Sequence, residues 1–231
     1  MKCTFQIPDE KIKYDFGKFG STEQTMVLSR NESDLALQFQ AVLDEKLYLA
    51  NSQRKGGSGE YHYFTTTDYL EYNPLCDDFG PMNISSVIRF IELLEDEIDF
   101  NPSKKIVYLV ERGRRPYTNG AFLIGAYLIL KLDLEPEEIL KKFKGVDPHI
   151  FEPFRDATFA PVDFGLSLLD CWRAVRKAKA LGWLRPPTSP GVWGKINVNE
   201  YDHYEDPLNG DLVQVAVATA CFCRLESCWR K

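Results

Sequence analysis

The chain has 231 residues, enough for one domain with a sizeable core. Its 28 basic and 34 acidic residues leave a net charge of −6, which argues against a nucleic-acid surface and for basic partners. The first twenty residues hold no apolar signal-peptide stretch, and no apolar run reaches the roughly 18 residues that a membrane span needs, so a soluble intracellular protein is expected, with no nucleic-acid or membrane partner.

Cysteine usage fits a reducing compartment: Cys3, Cys76 and Cys171 are isolated, while Cys221, Cys223 and Cys228 form a C-x-C-x4-C pattern near the end. That cluster has no fourth ligand nearby, and His62, His149 and His203 are scattered. No metal and no cofactor is expected.

Along the chain, residues 1–45 read as a variable, partly disordered leader, with a short amphipathic helix over Ser33 to Leu43. Lys46 to Ala50 (KLYLA) and Glu60 to Thr66 (EYHYFTT) read as two strands joined by SQRKGGSG, either a hairpin or a pair of sheet edges. Tyr69 to Tyr72 reads as a third short strand. DFGPMN at Asp78 to Asn83 is a turn whose asparagine caps the next helix. In that helix Ile84, Val87, Ile88, Ile91, Leu94 and Ile98 recur at three and four, leaving an acidic solvent-facing side.

Ile106 to Val110 is a short apolar run of the kind buried on both faces of a sheet. Glu111 to Thr118 interrupts it with three arginines, a glycine and a proline, and a helix capped by Thr118 or Asn119 is expected to follow, apolar almost all round. A strand feeding a loop that ends on a helix N-terminus is an anion-binding geometry, because free backbone N–H groups and the helix dipole point at the loop. Arg112, Arg114 and Arg115 are therefore candidate anion-binding residues. The alternative for them is a surface basic loop or an interdomain contact.

Beyond it, Glu135-Pro136 opens a helix with Ile139, Leu140 and Phe143 inward, ended by Gly145. FEPFRDATF is an irregular aromatic segment in which Asp156 reads as a turn or cap. Phe164 to Gly182 is a helix with Leu166, Leu169, Ala174 and Ala178 as core contacts and a solvated basic side of Arg173, Arg176, Lys177 and Lys179. RPPTSPGVWG separates it from an acidic aromatic helix at Asn199 to Asp211. The alternation argues an α/β fold with helices on both faces of a central sheet.

DFGPMN, KKIVYLVERGRRPYTNGAFLIGAYLIL, PFRDATF, LLDCWRAVRKA and NEYDHYEDPLNGD, in this order, resemble the N-terminal non-catalytic domain of the Cdc-fourteen family of dual-specificity phosphatases, over about residues 46–211. The resemblance implies a dual-specificity-phosphatase-like α/β fold, a central sheet flanked by helices, with a degenerate active-site loop. Cysteine-dependent phosphatases carry His-Cys, five residues, then Arg: the thiolate attacks phosphorus and the arginine clamps the phosphate. Alignment through the shared LI-x-x-Y pattern of Leu123, Ile124 and Tyr127 puts Gly113 at the nucleophile position and Asn119 at the clamp position, so no catalytic residue is expected. None of the six cysteines follows a histidine or precedes an arginine by six positions.

In the family this domain packs against a catalytic phosphatase domain in cis. Acidic residues of a connecting helix select phosphoprotein substrates phosphorylated before proline with a basic residue shortly after, in the nucleus and cytoplasm. By motif these substrate-binding positions are Asp202, Glu205 and Asp211. RPPTSPGVWGKIN is longer than the family's link, and similarity ends at Asp211. The tail at 212–231 is divergent, as in a truncated product, an alternative terminus or a misread exon boundary, and its VQVAVATA stretch reads as an edge strand or an aggregation-prone stretch. Three functions follow: a non-catalytic recognition and scaffold domain in cell-cycle dephosphorylation, a fragment of a complete phosphatase, or a free-standing pseudophosphatase that binds phosphoproteins.

Overall fold

A computed structural model describes residues 39–43, 46–51, 59–72, 74, 77–157, 161–162, 165–185, 187, 191–205, 211–215 and 218–222. Most of the leader and the linker at 52–58 lie outside the described residues, and so do the side chains of Tyr204, Glu205 and everything from residue 211 on.

The run expected at the centre of the sheet is strand β4, Lys105–Val110, whose last five residues are all buried. Strand β2, Leu47–Asn51, and strand β3, Tyr61–Phe64, flank it, each parallel to it. Strand β1, Phe39–Leu43, joins β2 antiparallel, giving the order β1-β2-β4-β3. Two expectations change here. The end of the predicted Ser33 to Leu43 helix is strand, because a short apolar run carries no decisive period and pairing with β2 settles it. And β2 and β3 form no hairpin, since β4, apolar on both faces, takes the place between them. Tyr69 to Tyr72 is not a strand either: Thr66 O accepts from both Tyr69 N and Leu70 N and closes a turn.

Helix α1, Ile84–Phe100, links β3 to β4. Asn83 caps it as expected, its side chain accepting from Ser86 N at 2.8 Å. Asn83→Ala should lower stability by about 1 kcal/mol and Asn83→Ser much less, read as a shift in urea midpoint; equal losses from both would mean the cap contributes nothing. On the side of α1 predicted to face solvent, Asp96 and Asp99 are exposed, but Glu95 and Glu97 are half-buried and occupied. Glu97 meets His62 of β3 at 2.6 Å and Glu95 meets Lys131 at 2.7 Å.

Helix α2, Arg114–Leu132, is buried at every position from Tyr117 to Leu130, which is why its sequence is apolar all round. Two glycines allow the close approach. A Cβ at Gly120 would stand 2.7 Å from Val110 Cγ1 of the sheet, and one at Gly125 would stand 2.1 Å from Trp172 Nε1.

Trp172 belongs to helix α4, Leu168–Ala180. Ser167 and Asp170 form a capping box that starts α4 there, later than the predicted Phe164. Its core face is Leu168, Cys171, Trp172 and Val175, spaced i, i+3, i+4 and i+7, whereas Leu166 and Ala174 are exposed. The basic side expected to be solvated braces the neighbouring helix ends. Arg173 meets Glu137, Arg176 meets Asp133 and Glu135, and Lys179 meets Asp133 at 2.8 Å. Lys179 and Arg176 together hold the Asp133 carboxyl down to about 2. Between these elements lies helix α3, Pro136–Lys142, with Ile139 and Phe143 inward but Leu140 at 44 % exposed.

The large core joins α1, α2 and α4 to one face of the sheet through Leu47, Leu49, Phe64, Ile106, Tyr108 and Val110. On the other face Tyr48, Ala50, Val107 and Leu109 form a small cluster with Tyr61 and Tyr63, all from strands. Helices on both faces were expected; among the described residues the helical side chains of the core gather on one. An all-apolar strand requires burial on both sides without specifying what covers each.

The chain continues through short strands β5, Phe154–Arg155, and β6, Gly165–Leu166, which pair with each other. A hairpin of β7, Val192–Trp193, and β8, Ile196–Asn197, precedes helix α5, Val198–Glu205. The tail does not extend the main sheet: β9, Asp211–Val215, and β10, Ala218–Phe222, pair antiparallel as a sheet of their own. No described helix is long and apolar enough to cross a membrane.

Candidate functional site

Two places carry the site residues expected from sequence: the strand-turn-helix at β4 and α2, and the acidic helix α5.

At the first, α2 begins at Arg114, with Gly113 as its N-cap, rather than after Thr118 or Asn119. Pro116 does not prevent this, because a proline in the first helical turn gives up an N–H that has no intrahelical acceptor. Gly113 has φ 139°, a conformation suited to glycine, and brings no side chain to cap the helix. Thr118 instead sits inside the helix, donating to Arg114 O at 2.8 Å and accepting from Glu152 N at 3.0 Å. Asn119 is buried on the second turn, away from the loop's end.

Early helix entry changes what the arginines can do. Only Arg112 stays in the turn, exposed. Arg114 donates weakly to Phe151 O at 3.4 Å. Arg115 bonds Glu152 at 2.8 Å and Asp77 at 3.1 Å and lies over the Phe79 ring, and Arg155 meets Asp77 as well. The Glu152 contact first, with Asp77 adding to it, pushes the Arg115 guanidinium up from its ordinary value. Two carboxylates thus compensate the charge that an anion would need, and Pro116 removes one backbone donor from the first turn. Arg115 braces α2 against the segments at 77–79 and 151–155.

The second place is built by residues that sequence reasoning left unremarked. Trp193 of β7 is buried; its Nε1 donates to Glu92 of α1 at 3.3 Å, and Gly191 N donates to the same oxygen at 3.1 Å. Lys131 lies 5.7 Å from the Trp193 ring centre. Gly194, at φ 60°, lets the hairpin pass Trp183 O, which a Cβ would approach to 2.6 Å. Val198 N then donates to Gly191 O, and Asn197 Oδ1 accepts from Asn199 N at 3.1 Å, an N-cap arrangement that starts α5.

On α5, Asp202 reaches Arg89 of α1 and pairs with it. The pair is open to solvent, with Arg89 at 49 % and Asp202 at 38 % side-chain exposure. Glu205 ends α5, and Asp211 begins β9, the strand next to it. No signal marked Arg89 in the sequence, where it stands as an ordinary polar position of an amphipathic helix. Glu92 likewise belonged to a side expected to face water. Among the described residues no cluster of metal-ligating side chains forms.

Residues 41–178 match the family described as dual specificity protein phosphatase, N-terminal half. The dual specificity protein phosphatase CDC14C of Homo sapiens is 35% identical over 162 residues, covering 69% of this chain and 34% of that protein. CDC14A of Homo sapiens is 34% identical over 172 residues, covering 73% of this chain and 28% of that protein. The tyrosine-protein phosphatase CDC14 homolog of Schizosaccharomyces pombe is 32% identical over 180 residues, covering 73% and 31%. The chain spans about a third of the length of the curated relatives it matches.

Proposed function

This chain belongs to the family of N-terminal halves of dual specificity protein phosphatases, and we propose from that premise that it is the non-catalytic, substrate-recognising and scaffolding half of such an enzyme. It acts with a catalytic phosphatase domain in cis, in the nucleus and cytoplasm, on phosphoproteins of cell-cycle control. Its strand-turn-helix is a degenerate active-site loop, with Gly113 and Asn119 where a nucleophile and a clamp would stand. Asp202, Glu205 and Asp211 select a basic residue that follows a phosphorylated Ser-Pro or Thr-Pro site.

The observation that carries this reading is the partner Asp202 already has. That an exposed carboxylate of α5 accepts a guanidinium supports the reading, since the same chemistry would take the lysine or arginine of a bound peptide. Of the loop arginines, Arg115 is shared between Glu152 and Asp77, and anion binding there is the weaker second reading.

The test is a fluorescence-anisotropy titration of the 231-residue chain with a phosphoSer-Pro-Ala-Lys peptide. Asp202→Asn with Glu205→Gln should weaken binding by up to about thirtyfold, given about 0–1 kcal/mol for each of two exposed ion pairs. Raising the salt from about 50 to about 300 mM should remove most of that difference. Equal affinity in the double variant would overturn the recognition reading.

A further inference from the structure

We propose that Arg89 is a specificity-determining residue that competes in cis with the substrate's basic residue for Asp202. This rests on the recognition reading above and extends it to how strongly a basic residue is preferred.

The groups that face this carboxylate decide the matter. Arg89 projects from the second turn of α1 and places its Nη2 on Asp202 Oδ2 of α5, 113 residues away in sequence. The other anchors between α1 and α5 do not depend on that contact. Glu92 holds the β7–β8 hairpin through Gly191 N and Trp193 Nε1, and Val198 is buried in the core. The helix is thus seated without the ion pair, and the pair is left to set the charge state of the surface.

Arg89 is also lightly held. On its own helix the Nε reaches Ser85 Oγ at only 3.4 Å, and about half of the side chain is in water. An exposed ion pair between long side chains exchanges partners at little net free energy. A peptide lysine or arginine therefore gains Asp202 only by displacing Arg89, and the net gain is the difference between two similar pairs. A peptide without a basic residue leaves the Arg89 contact intact and neither gains nor loses. Arg89 accordingly dampens discrimination: it lowers the affinity of basic peptides and leaves neutral ones unchanged.

The experiment compares phosphoSer-Pro-Ala-Lys with phosphoSer-Pro-Ala-Ala on the full chain and on Arg89→Gln, Arg89→Lys and Arg89→Gln with Asp202→Asn. Arg89→Gln should bind the lysine peptide up to about fivefold more tightly, with a steeper salt dependence, and leave the alanine peptide unchanged. Arg89→Lys, which keeps the charge but loses the fork, should lie between the two proteins. Adding Asp202→Asn should cancel the gain. An unchanged circular-dichroism melt for Arg89→Gln establishes that the fold is intact, and Arg89→Lys supplies the comparison if it is not. If the wild type prefers the lysine peptide and Arg89→Gln leaves that preference unchanged, or weakens both peptides as a phosphate contact would, the competition is overturned while the recognition reading stands. If neither protein distinguishes the peptides, recognition through Asp202 fails, and the competition with it.

Discussion

Trp172→Ala will destabilise the domain by about 3–5 kcal/mol, the range for removing a fully buried large aromatic side chain. Trp172 is 0 % exposed, its ring stacks on Phe143 at 5.9 Å between centroids, and its Nε1 donates to Phe122 O at 3.2 Å. It occupies the hollow that Gly125 leaves on α2, where a Cβ would stand 2.1 Å from the indole nitrogen. Few neighbours can collapse into such a space, because helix backbone forms its floor. Against the ordinary stability of about 5–15 kcal/mol for a domain, this is a large share. Urea denaturation should show the midpoint fall sharply, and a change below about 1 kcal/mol would mean that α4 does not pack on α2 as described. Gly125→Ala probes the same contact from the other side. Overpacking there should cost about 1–3 kcal/mol or more, since the indole must move away from a helix it is hydrogen-bonded to.

The second large effect concerns catalysis. The purified 231-residue chain should turn over p-nitrophenyl phosphate no faster than buffer does, forfeiting the roughly millionfold or greater acceleration that enzymes provide. Nucleophilic phosphoryl transfer needs a thiolate at the loop's start and a cation free to clamp the phosphoryl oxygens. On the reading proposed above, Gly113 takes the first position and brings no side chain; Asn119 is buried in the second turn of α2, and Arg115 is shared between Glu152 and Asp77. Cys171, the described buried cysteine, is pushed up to about 11 by burial and lies in α4, outside this loop. Turnover by pure protein that vanadate abolishes would sink this expectation.

Much of the architecture was legible from local pattern. The all-apolar Ile106 to Val110 run had to be central, the three-and-four spacing of Ile84 to Ile98 had to be a helix, and Asn83 and Pro136 marked helix starts that the structure bears out. Where two local signals competed, the sequence reading went astray. Thr118 and Asn119 are good capping types, yet Gly113 starts α2, because Pro116 is tolerated in a first turn and Thr118 is engaged by Arg114 O and Glu152 N. On α4 the small residues Ala174 and Ala178 suggested a core side, and Ala178 does pack on the core, but Ala174 is exposed; Trp172 needed a glycine across from it, and Gly125 lies 47 positions earlier on another helix. The capping box of Ser167 and Asp170 was present in the sequence and would have placed that start correctly.

The sequence by itself determined most of the element types, the strand that must be central, the helix buried on all sides and the lack of a His-Cys-x5-Arg nucleophile loop. These depend on residues near one another in the chain or on the covalent chemistry of single side chains. The tertiary structure alone decided the strand order, the bracing of Arg115 by Glu152 and Asp77, the seating of α5 by Glu92 and Trp193, and the pairing of Asp202 with Arg89. A charged side chain on a helix surface has many partners of opposite sign within its composition. Which one it meets depends on how distant elements pack, and no local period records that.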